Sequence, residues 1–201
     1  LDHASSIESC KKAIDAGFTS VMIDASKYEL EENIRITNEV VNYASLKNVS
    51  VESEIGHIGG TEDEVSSDIY YAKTDECIRL YNETKINSLA PALGSVHGFY
   101  KGMPKLNFDR MKEISEKLNI PLVLHGGTGI PDELIKTAIK SGISKLNINT
   151  ELQSVWSIDV RKFLSNNLDV YDPRKIISSG EKAIKTAIRN KIILLNSNNR
   201  I

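Results

Sequence analysis

Short apolar segments alternate with longer amphipathic segments throughout this chain of 201 residues. The short segments are rich in Val, Ile and Leu and are bounded by Gly, Pro, Asn or Asp, which predicts buried β-strands. We predict strands over residues 19–24, 49–56, 88–98, 121–127 and 144–150. Because a helical segment follows each strand, we expect right-handed βαβ crossovers and a parallel sheet. A doubly wound sheet and a (β/α)₈ barrel both satisfy this pattern.

The amphipathic segments carry helix signals at their ends. Residues 5–16 place apolar side chains three to four positions apart, and the pattern stops at Gly17. Pro131 stands where a first-turn proline belongs, and Gly142 closes the same helix. We predict helices over residues 5–16, 30–47, 75–85, 108–118, 131–141, 150–166 and 173–195.

The first residues resemble the end of a strand. Leu1, Asp2 and His3 lead directly into a helix, without an apolar strand body before them. A complete barrel of this kind takes about 250 residues. We therefore expect residues 1–201 to form a single (β/α)₈-barrel domain, with two strands and most of a third upstream of Leu1.

Composition excludes several classes of protein. The chain has 25 Lys and Arg against 27 Asp and Glu, so its net charge is −2, and 40% of its residues are hydrophobic. These values argue against disorder, a nucleic-acid partner and a membrane surface. Cys10 and Cys77 form neither a CxxC pair nor a disulfide framework, so we expect a cytoplasmic protein.

Polar residues stand at the ends of the predicted strands. The carboxyl ends of parallel strands meet on one rim, which is where such proteins build their sites. The residues placed there are Asp2, His3, Asp24, Glu52, Glu54, His97, His125, Asn147 and Asn149. Three histidines with an open fourth position form a known catalytic zinc site. A single histidine in an apolar run is more often a hydrogen-bonded core residue, but three that converge favour a metal.

Glycines beside the histidines indicate an anion site. The sequence HGGTG begins at His125, and Gly98 follows His97. Backbone N–H groups in such turns can bind phosphate, and barrels place phosphate sites at their last two strands. Lys101 could add a positive charge. The alternative is that these glycines only allow tight turns.

The segment GHIGGTEDE, residues 56–64, is predicted to be a mobile lid. Glu62 or Asp63 would then act as a general acid or base, whereas the alternative is a solvated turn. We expect His57 to be a surface or loop residue. A metal, a nearby carboxylate, a mobile acid or base and a phosphate site together suit carbon–carbon cleavage beside a carbonyl in a sugar phosphate.

A resemblance to a known family agrees with this chemistry. The segments that carry it are LDH, SVMIDAS, VESEIGHIGGTED, LAPALGSVHGFYKG, PLVLHGGTGIPDE, KLNINTEL and YDPRK. In this order, over essentially the whole chain, they resemble class II, metal-dependent fructose-bisphosphate aldolases and their tagatose-bisphosphate relatives. The resemblance implies a (β/α)₈-barrel lyase of glycolysis and gluconeogenesis. The reaction would be reversible cleavage of a ketose 1,6-bisphosphate to dihydroxyacetone phosphate and glyceraldehyde 3-phosphate.

The resemblance also implies roles for single residues. Asp2 would be the acid or base at the C4 hydroxyl, and Glu62 would exchange the proton at C3. The catalytic Zn²⁺ would be held by His3, His97 and His125, with an alternative metal position at Asp24 and Glu54. The dihydroxyacetone phosphate pocket would be formed by Gly98, Lys101, Gly126, Thr128, Asn147, Asn149 and Thr150. A monovalent cation, Na⁺ or K⁺, and a homodimer or homotetramer are implied as well.

The sugar and the distal phosphate are less defined. Asn149 stands where some fructose-type members carry Asp and some tagatose-type members carry Ala, and fructose is favoured over tagatose. Arg174 and Arg189 are candidates for the distal phosphate. Two other functions fit the residues: a metal-dependent hydrolase on the same barrel, and a barrel that binds a sugar phosphate without catalysis. The absent HxH pair opposes the hydrolase, and the presence of Asp2 and Glu62 opposes the simple binder.

Overall fold

The computed structural model describes residues 1–62, 65–67 and 71–199, apart from the side chains of residues 59–62 and 65–67. Five strands form a parallel sheet in the order β1-β2-β5-β7-β8, and three form a smaller sheet in the order β4-β3-β6. The strands are β1 (Ser20–Ile23), β2 (Ser50–Ile55), β3 (Gly59–Glu62), β4 (Val65–Ser67), β5 (Ser88–Pro91), β6 (Val96–His97), β7 (Leu122–Leu124) and β8 (Ile143–Leu146).

Helices follow the strands of the main sheet, as the alternating pattern predicts. They are α1 (Ile7–Asp15), α2 (Leu30–Ser45), α3 (Thr74–Thr84), α4 (Phe108–Lys117), α5 (Asp132–Lys140), α6 (Thr150–Asn166), α7 (Pro173–Ser179) and α8 (Glu181–Leu194). Side-chain caps fix some of their first turns. The Ser6 hydroxyl accepts from the Ser9 N–H, and the Asn107 side chain accepts from the Arg110 N–H. In the described part of the chain, no helix is both long and apolar enough to span a bilayer.

The first four residues extend the main sheet. The Leu1 carbonyl accepts from the Met22 N–H, the Ala4 N–H donates to the Met22 carbonyl, and Ala4 pairs in parallel with Ile23. Residues 1–4 thus run beside β1 like the end of a strand, as we predicted. Asp2 and His3 consequently lie at the same edge of the sheet as the end of β1.

Two segments that were each predicted as one continuous element are divided into two elements in the structure. The predicted strand over residues 88–98 is two strands, β5 and β6, and β6 pairs with β3 in the smaller sheet. The break includes Gly94, which has φ of 100° and where a Cβ atom would lie 2.1 Å from the Lys105 carbonyl oxygen. The predicted helix over residues 173–195 is broken at Gly180, whose Cα packs so closely on Trp156 that a Cβ would lie 2.4 Å from the indole Cδ1.

The predicted lid is also more regular than a loop. Residues 59–62 form β3, which pairs antiparallel with β4 and in parallel with β6. The segment therefore begins a hairpin whose first strand adjoins the strand that carries His97. Glu62 ends β3, but its side chain and all of Asp63 lie outside the described part of the chain.

Candidate metal centre and active site

Three histidines from distant parts of the chain meet at the carboxyl edge of the sheet. His3 lies beside β1, His97 ends β6, and His125 follows β7. Their ring centroids are separated by 5.0 Å for His3 and His97, 4.6 Å for His3 and His125, and 5.9 Å for His97 and His125. One nitrogen from each ring lies within 4.8 Å of the other two. The structure thus brings together the three predicted zinc ligands.

An unusual backbone conformation places two neighbouring residues at this site. In a regular strand, consecutive side chains point to opposite faces. His3 has φ of 44°, in the left-handed region that non-glycine residues seldom occupy. The His3 ring reaches His125, while the Asp2 carboxylate accepts a hydrogen bond from the Asn147 amide at 3.2 Å. The turn therefore lets both Asp2 and His3 serve one site, and Asn147 orients Asp2.

Two carboxylates lie on the other side of His3. The Asp24 Oδ2 atom is 3.1 Å from His3 Nδ1, and Glu54 Oε2 is 4.0 Å from the same nitrogen. The Ser26 hydroxyl and N–H donate to Asp24 Oδ1, at 2.7 and 3.1 Å. Glu54 is buried, and its Oε2 atom has no hydrogen-bond partner among the described residues. The three residues His3, Asp24 and Glu54 form a second set of potential metal ligands.

Three side chains at this site have strongly perturbed pKa values. Burial and the nearby Asp24 charge raise the pKa of Glu54 to about 8. Burial alone would lower the pKa of His3, but the Asp24 hydrogen bond and the negative charges of Glu54 and Asp2 raise it to about 9. Burial and the positive charges of the other two histidines lower the pKa of His97 to about 4. Protons and a metal cation are therefore direct competitors at His3.

A buried carboxylate, Glu52, also contacts His125. Glu52 was given no role in the sequence analysis. Glu52 Oε1 lies 3.1 Å from His125 Nε2, and the other Glu52 oxygen accepts from Lys145 at 2.8 Å. Burial opposes ionisation of Glu52, but the hydrogen bonds from His125 and Lys145 outweigh it and lower its pKa. Glu52 was visible in the sequence as a polar residue inside an apolar strand. Lys145 showed no such signal, because a lysine in a short strand is ordinarily exposed.

The histidine cluster adjoins a cavity of about 600 Å³. This volume is typical of small-molecule sites. His97 and His125 line it, together with six of the seven predicted substrate residues: Gly98, Gly126, Thr128, Asn147, Asn149 and Thr150. The seventh, Lys101, is an exposed residue in the loop after β6.

Helix α6 starts at the wall of this cavity. Its first residue is Thr150, and the Asn149 side chain does not cap it. The Thr128 hydroxyl accepts from the Glu151 N–H at 3.1 Å and so joins the HGGTG turn to the helix. The N-terminal end of a helix carries partial positive charge and favours an anion. This end of the cavity is thus suited to a phosphate.

Tyr100 joins the two segments that carry His97 and His125. Its hydroxyl accepts from the Val96 N–H at 3.1 Å and donates to the Gly126 carbonyl at 3.0 Å. Val96 precedes His97, and Gly126 follows His125. Sequence reasoning missed this residue, because a tyrosine in a glycine-rich loop shows no sign of its distant partners.

Other predicted residues lie farther from the cluster. Arg174 is exposed and pairs with Asp172 at 2.9 Å, and Arg189 is exposed on α8. His57 is half-buried, with its Nδ1 atom 3.2 Å from the Ser26 hydroxyl. It lies in the loop between β2 and β3, which agrees with the prediction of a surface or loop residue, and Ser26 connects it to Asp24.

The residues present fit a bound metal ion. In both His3 and His125, one ring nitrogen faces the cluster and the other lies 3.1 Å from a carboxylate oxygen. This arrangement, in which a carboxylate orients a ligating histidine, recurs in metal sites. The two nitrogens that face the cluster are 2.9 Å apart. Tetrahedral zinc with bonds of about 2.1 Å would separate its ligands by roughly 3.4 Å, so a small adjustment suffices.

Comparisons with known proteins agree with this site. The family described as "Fructose-bisphosphate aldolase class-II" matches residues 1–200. A fructose-bisphosphate aldolase of Geobacillus stearothermophilus is 56% identical over 193 residues, which are 96% of this chain and 67% of the relative. A 6-phospho-5-dehydro-2-deoxy-D-gluconate aldolase of Halalkalibacterium halodurans is 53% identical over 192 residues, which are again 96% of this chain and 67% of the relative.

Solved structures give the same result. The YdjI aldolase of Escherichia coli K12 superposes with a TM-score of 0.83 at 35% identity, over 98% of this chain and 69% of that one. The fructose-bisphosphate aldolase of Campylobacter jejuni superposes with a TM-score of 0.75 at 26% identity, over 97% of this chain and 66% of that one. These likenesses confirm the predicted barrel fold. The chain spans about two thirds of the length of each relative. From the family match and these relatives together, the chain belongs to the class-II fructose-bisphosphate aldolase family.

Proposed function

We propose that this protein catalyses the reversible, zinc-dependent cleavage of fructose 1,6-bisphosphate to dihydroxyacetone phosphate and glyceraldehyde 3-phosphate. The observation that carries the proposal is the meeting of three histidines beside a cavity with a helix N-terminus in its wall. The names of relatives that are more than 50% identical support the choice of reaction. We infer a single barrel domain over residues 1–201 that works in cytoplasmic glycolysis as a homodimer or homotetramer.

His3, His97 and His125 would hold Zn²⁺, and Asp24 and Glu54 would offer an alternative position for it. When bound, the metal supplies a Lewis acid for the substrate's carbonyl oxygen. Zinc is favoured because imidazole nitrogens suit it, although other divalent transition metals accept the same ligands. A monovalent cation, Na⁺ or K⁺, near the phosphate pocket is part of the same proposal.

The protein's carboxylates would move the protons. In cleavage, Asp2 takes the proton of the C4 hydroxyl, the C3–C4 bond breaks, and C4 becomes the aldehyde carbon. The electron pair of that bond stays with the dihydroxyacetone phosphate half, and Glu62 then delivers a proton to C3. Asn147 holds Asp2 for this task through the hydrogen bond at 3.2 Å.

The cavity wall would bind the phosphate of the dihydroxyacetone half. Gly98, Gly126 and Thr128 line the cavity, together with Asn149 and Thr150 at the start of α6. Backbone N–H groups there bind anions without the conformational freedom of a long side chain. Lys101 would add its charge from the loop after β6.

A second substrate has a specific observation in its favour. The relative from Halalkalibacterium halodurans is 53% identical, almost as similar as the fructose-type relative at 56%, and its name gives a different substrate, 6-phospho-5-dehydro-2-deoxy-D-gluconate. Both substrates are phosphorylated and undergo aldol cleavage, so the histidine cluster suits either. The relatives compared favour fructose over tagatose, because those named for a ketose bisphosphate are fructose-type.

The test measures cleavage of fructose 1,6-bisphosphate, tagatose 1,6-bisphosphate and 6-phospho-5-dehydro-2-deoxy-D-gluconate by the full chain, before and after EDTA. We expect EDTA-sensitive cleavage, fastest with the fructose substrate. His97→Ala should abolish both cleavage and zinc binding, whereas the matched variant His57→Ala should retain zinc. Zinc-loaded, folded protein that cleaves none of the three would refute the proposal.

A further inference from the structure

A row of polar side chains crosses one face of the sheet next to the histidine cluster. Glu52 lies on β2, Ser88 on β5 and Lys145 on β8, and His125 follows β7. The strands β2 and β8 are separated in the sheet by β5 and β7. The Lys145 side chain therefore extends past two strands, β7 and β5, to contact Glu52 on β2.

The two oxygens of Glu52 have separate partners. Oε2 accepts from Lys145 Nζ at 2.8 Å and from the Ser88 hydroxyl at 3.1 Å. Oε1 faces His125 Nε2 at 3.1 Å. Glu52 is 3% exposed, and a carboxylate so buried needs a charged partner. Lys145 is the cation in contact with it, while its own side chain is 48% exposed.

The hydrogen bond to Glu52 determines what the other nitrogen of His125 can do. A carboxylate only accepts, so in the neutral form of His125 the Nε2 atom carries the hydrogen and Nδ1 carries the lone pair. That Nδ1 atom faces the cluster, 2.9 Å from His3 Nε2. A metal binds the lone pair of a neutral imidazole, and its affinity depends on the orientation of the ring.

We propose that Lys145 is a positioning residue for the metal centre: by holding Glu52 Oε2, it keeps Oε1 on His125 and the His125 Nδ1 lone pair directed at the cluster. Lys145 lines the same cavity as His97 and His125, but its hydrogen bond and ion pair are to Glu52 and not to the three histidines. The inference rests on the proposed metal site. It assigns a task to a lysine that has none in the proposed proton transfers.

The test is Co²⁺ binding by the full chain, followed through the visible absorption spectrum of the ion. Lys145→Met should weaken Co²⁺ binding by about tenfold, the lower end of the range for residues that orient a ligating histidine, and should change the spectrum. Lys140→Met removes an exposed lysine from α5, and it should leave affinity and spectrum unchanged. Lys145→Arg keeps a cation within reach of Glu52 and should restore most of the affinity.

The outcomes separate this inference from the proposed function. If the unmodified chain fails to bind Co²⁺, the metal site itself is refuted. If it binds, and Lys145→Met has the same affinity and spectrum, only the role of Lys145 is overturned. Should Lys145→Met unfold because Glu52 is left as a buried charge, the double variant with Glu52→Gln removes both charges. That variant should also bind Co²⁺ about tenfold more weakly, and unchanged binding would overturn the inference.

Discussion

Replacing Gly126 with alanine should disrupt the metal centre by forcing two backbone segments apart. Gly126 has φ of 68°, and a Cβ atom there would lie 2.2 Å from the Val96 carbonyl oxygen. An ordinary contact between carbon and oxygen is about 3.3 Å, so the two segments must separate by about 1 Å. Because Val96 precedes His97 and Gly126 follows His125, this movement displaces one proposed metal ligand from another.

The cost has two parts. The left-handed backbone costs alanine about 1–2 kcal/mol, and overpacking in a filled interior adds about 1–3 kcal/mol. The free energy of unfolding should therefore fall by roughly 2–5 kcal/mol. With a urea dependence of about 1–3 kcal/mol per molar, the midpoint should drop by about 1 M or more.

Two glycines provide matched controls in urea denaturation of the metal-free chain. Gly17 has φ of 92° and no atom within 4 Å of a built Cβ, so Gly17→Ala carries the backbone strain alone, about 1–2 kcal/mol. Gly102 also has open space and lacks a positive φ, so Gly102→Ala should change stability by no more than about 0.5 kcal/mol. Only Gly126→Ala should also weaken Co²⁺ binding. The steric argument is refuted if Gly126→Ala loses no more stability than Gly17→Ala and binds Co²⁺ normally.

Two further predictions concern Tyr100 and pH. Tyr100→Phe removes the hydroxyl that joins Val96 to Gly126 and leaves two backbone groups without this partner, so it should cost about 1–3 kcal/mol in urea denaturation. The exposed control Tyr171→Phe should change stability by less than about 0.5 kcal/mol, and equal losses for the two variants would contradict the bridging role. Metal affinity should rise with pH, because a metal must displace a proton from His3. Burial lowers the pKa of His3, but Asp24, Glu54 and Asp2 raise it by more, so that it moves from 6.5 to about 9. The ion must displace the His3 proton below pH 9, so competition with a chelator should show affinity rising about tenfold per pH unit from pH 7 and levelling off above 9. In the metal-free protein, the same raised pKa stabilises the fold fully below pH 6.5, and this contribution is lost as pH rises through 9. Affinity that is constant between pH 7 and 9 would exclude a charged His3.

Most of the fold and the main features of the site could be predicted from local patterns. Four strands of the main sheet lie within predicted strands, β8 begins one residue before its predicted strand and ends four residues earlier, and α6 spans the predicted residues 150–166. The clustering of His3, His97 and His125 could be predicted because the carboxyl ends of parallel strands share one edge. The same rule placed Asn147 and Asn149 at the cavity.

Other features were decided only by tertiary structure. The contact between Glu52 and Lys145 joins residues 93 positions apart, and neither residue's neighbours in sequence indicate the other. The breaks at Gly94 and Gly180 depend on Lys105 and Trp156, which occupy the space where a Cβ would lie. Local patterns determine which segments become strands and where their polar ends fall, since periodicity and turn residues act over a few positions. The partners of a buried charge are set by the folded chain, since they come from whichever distant strands the sheet brings within hydrogen-bond distance.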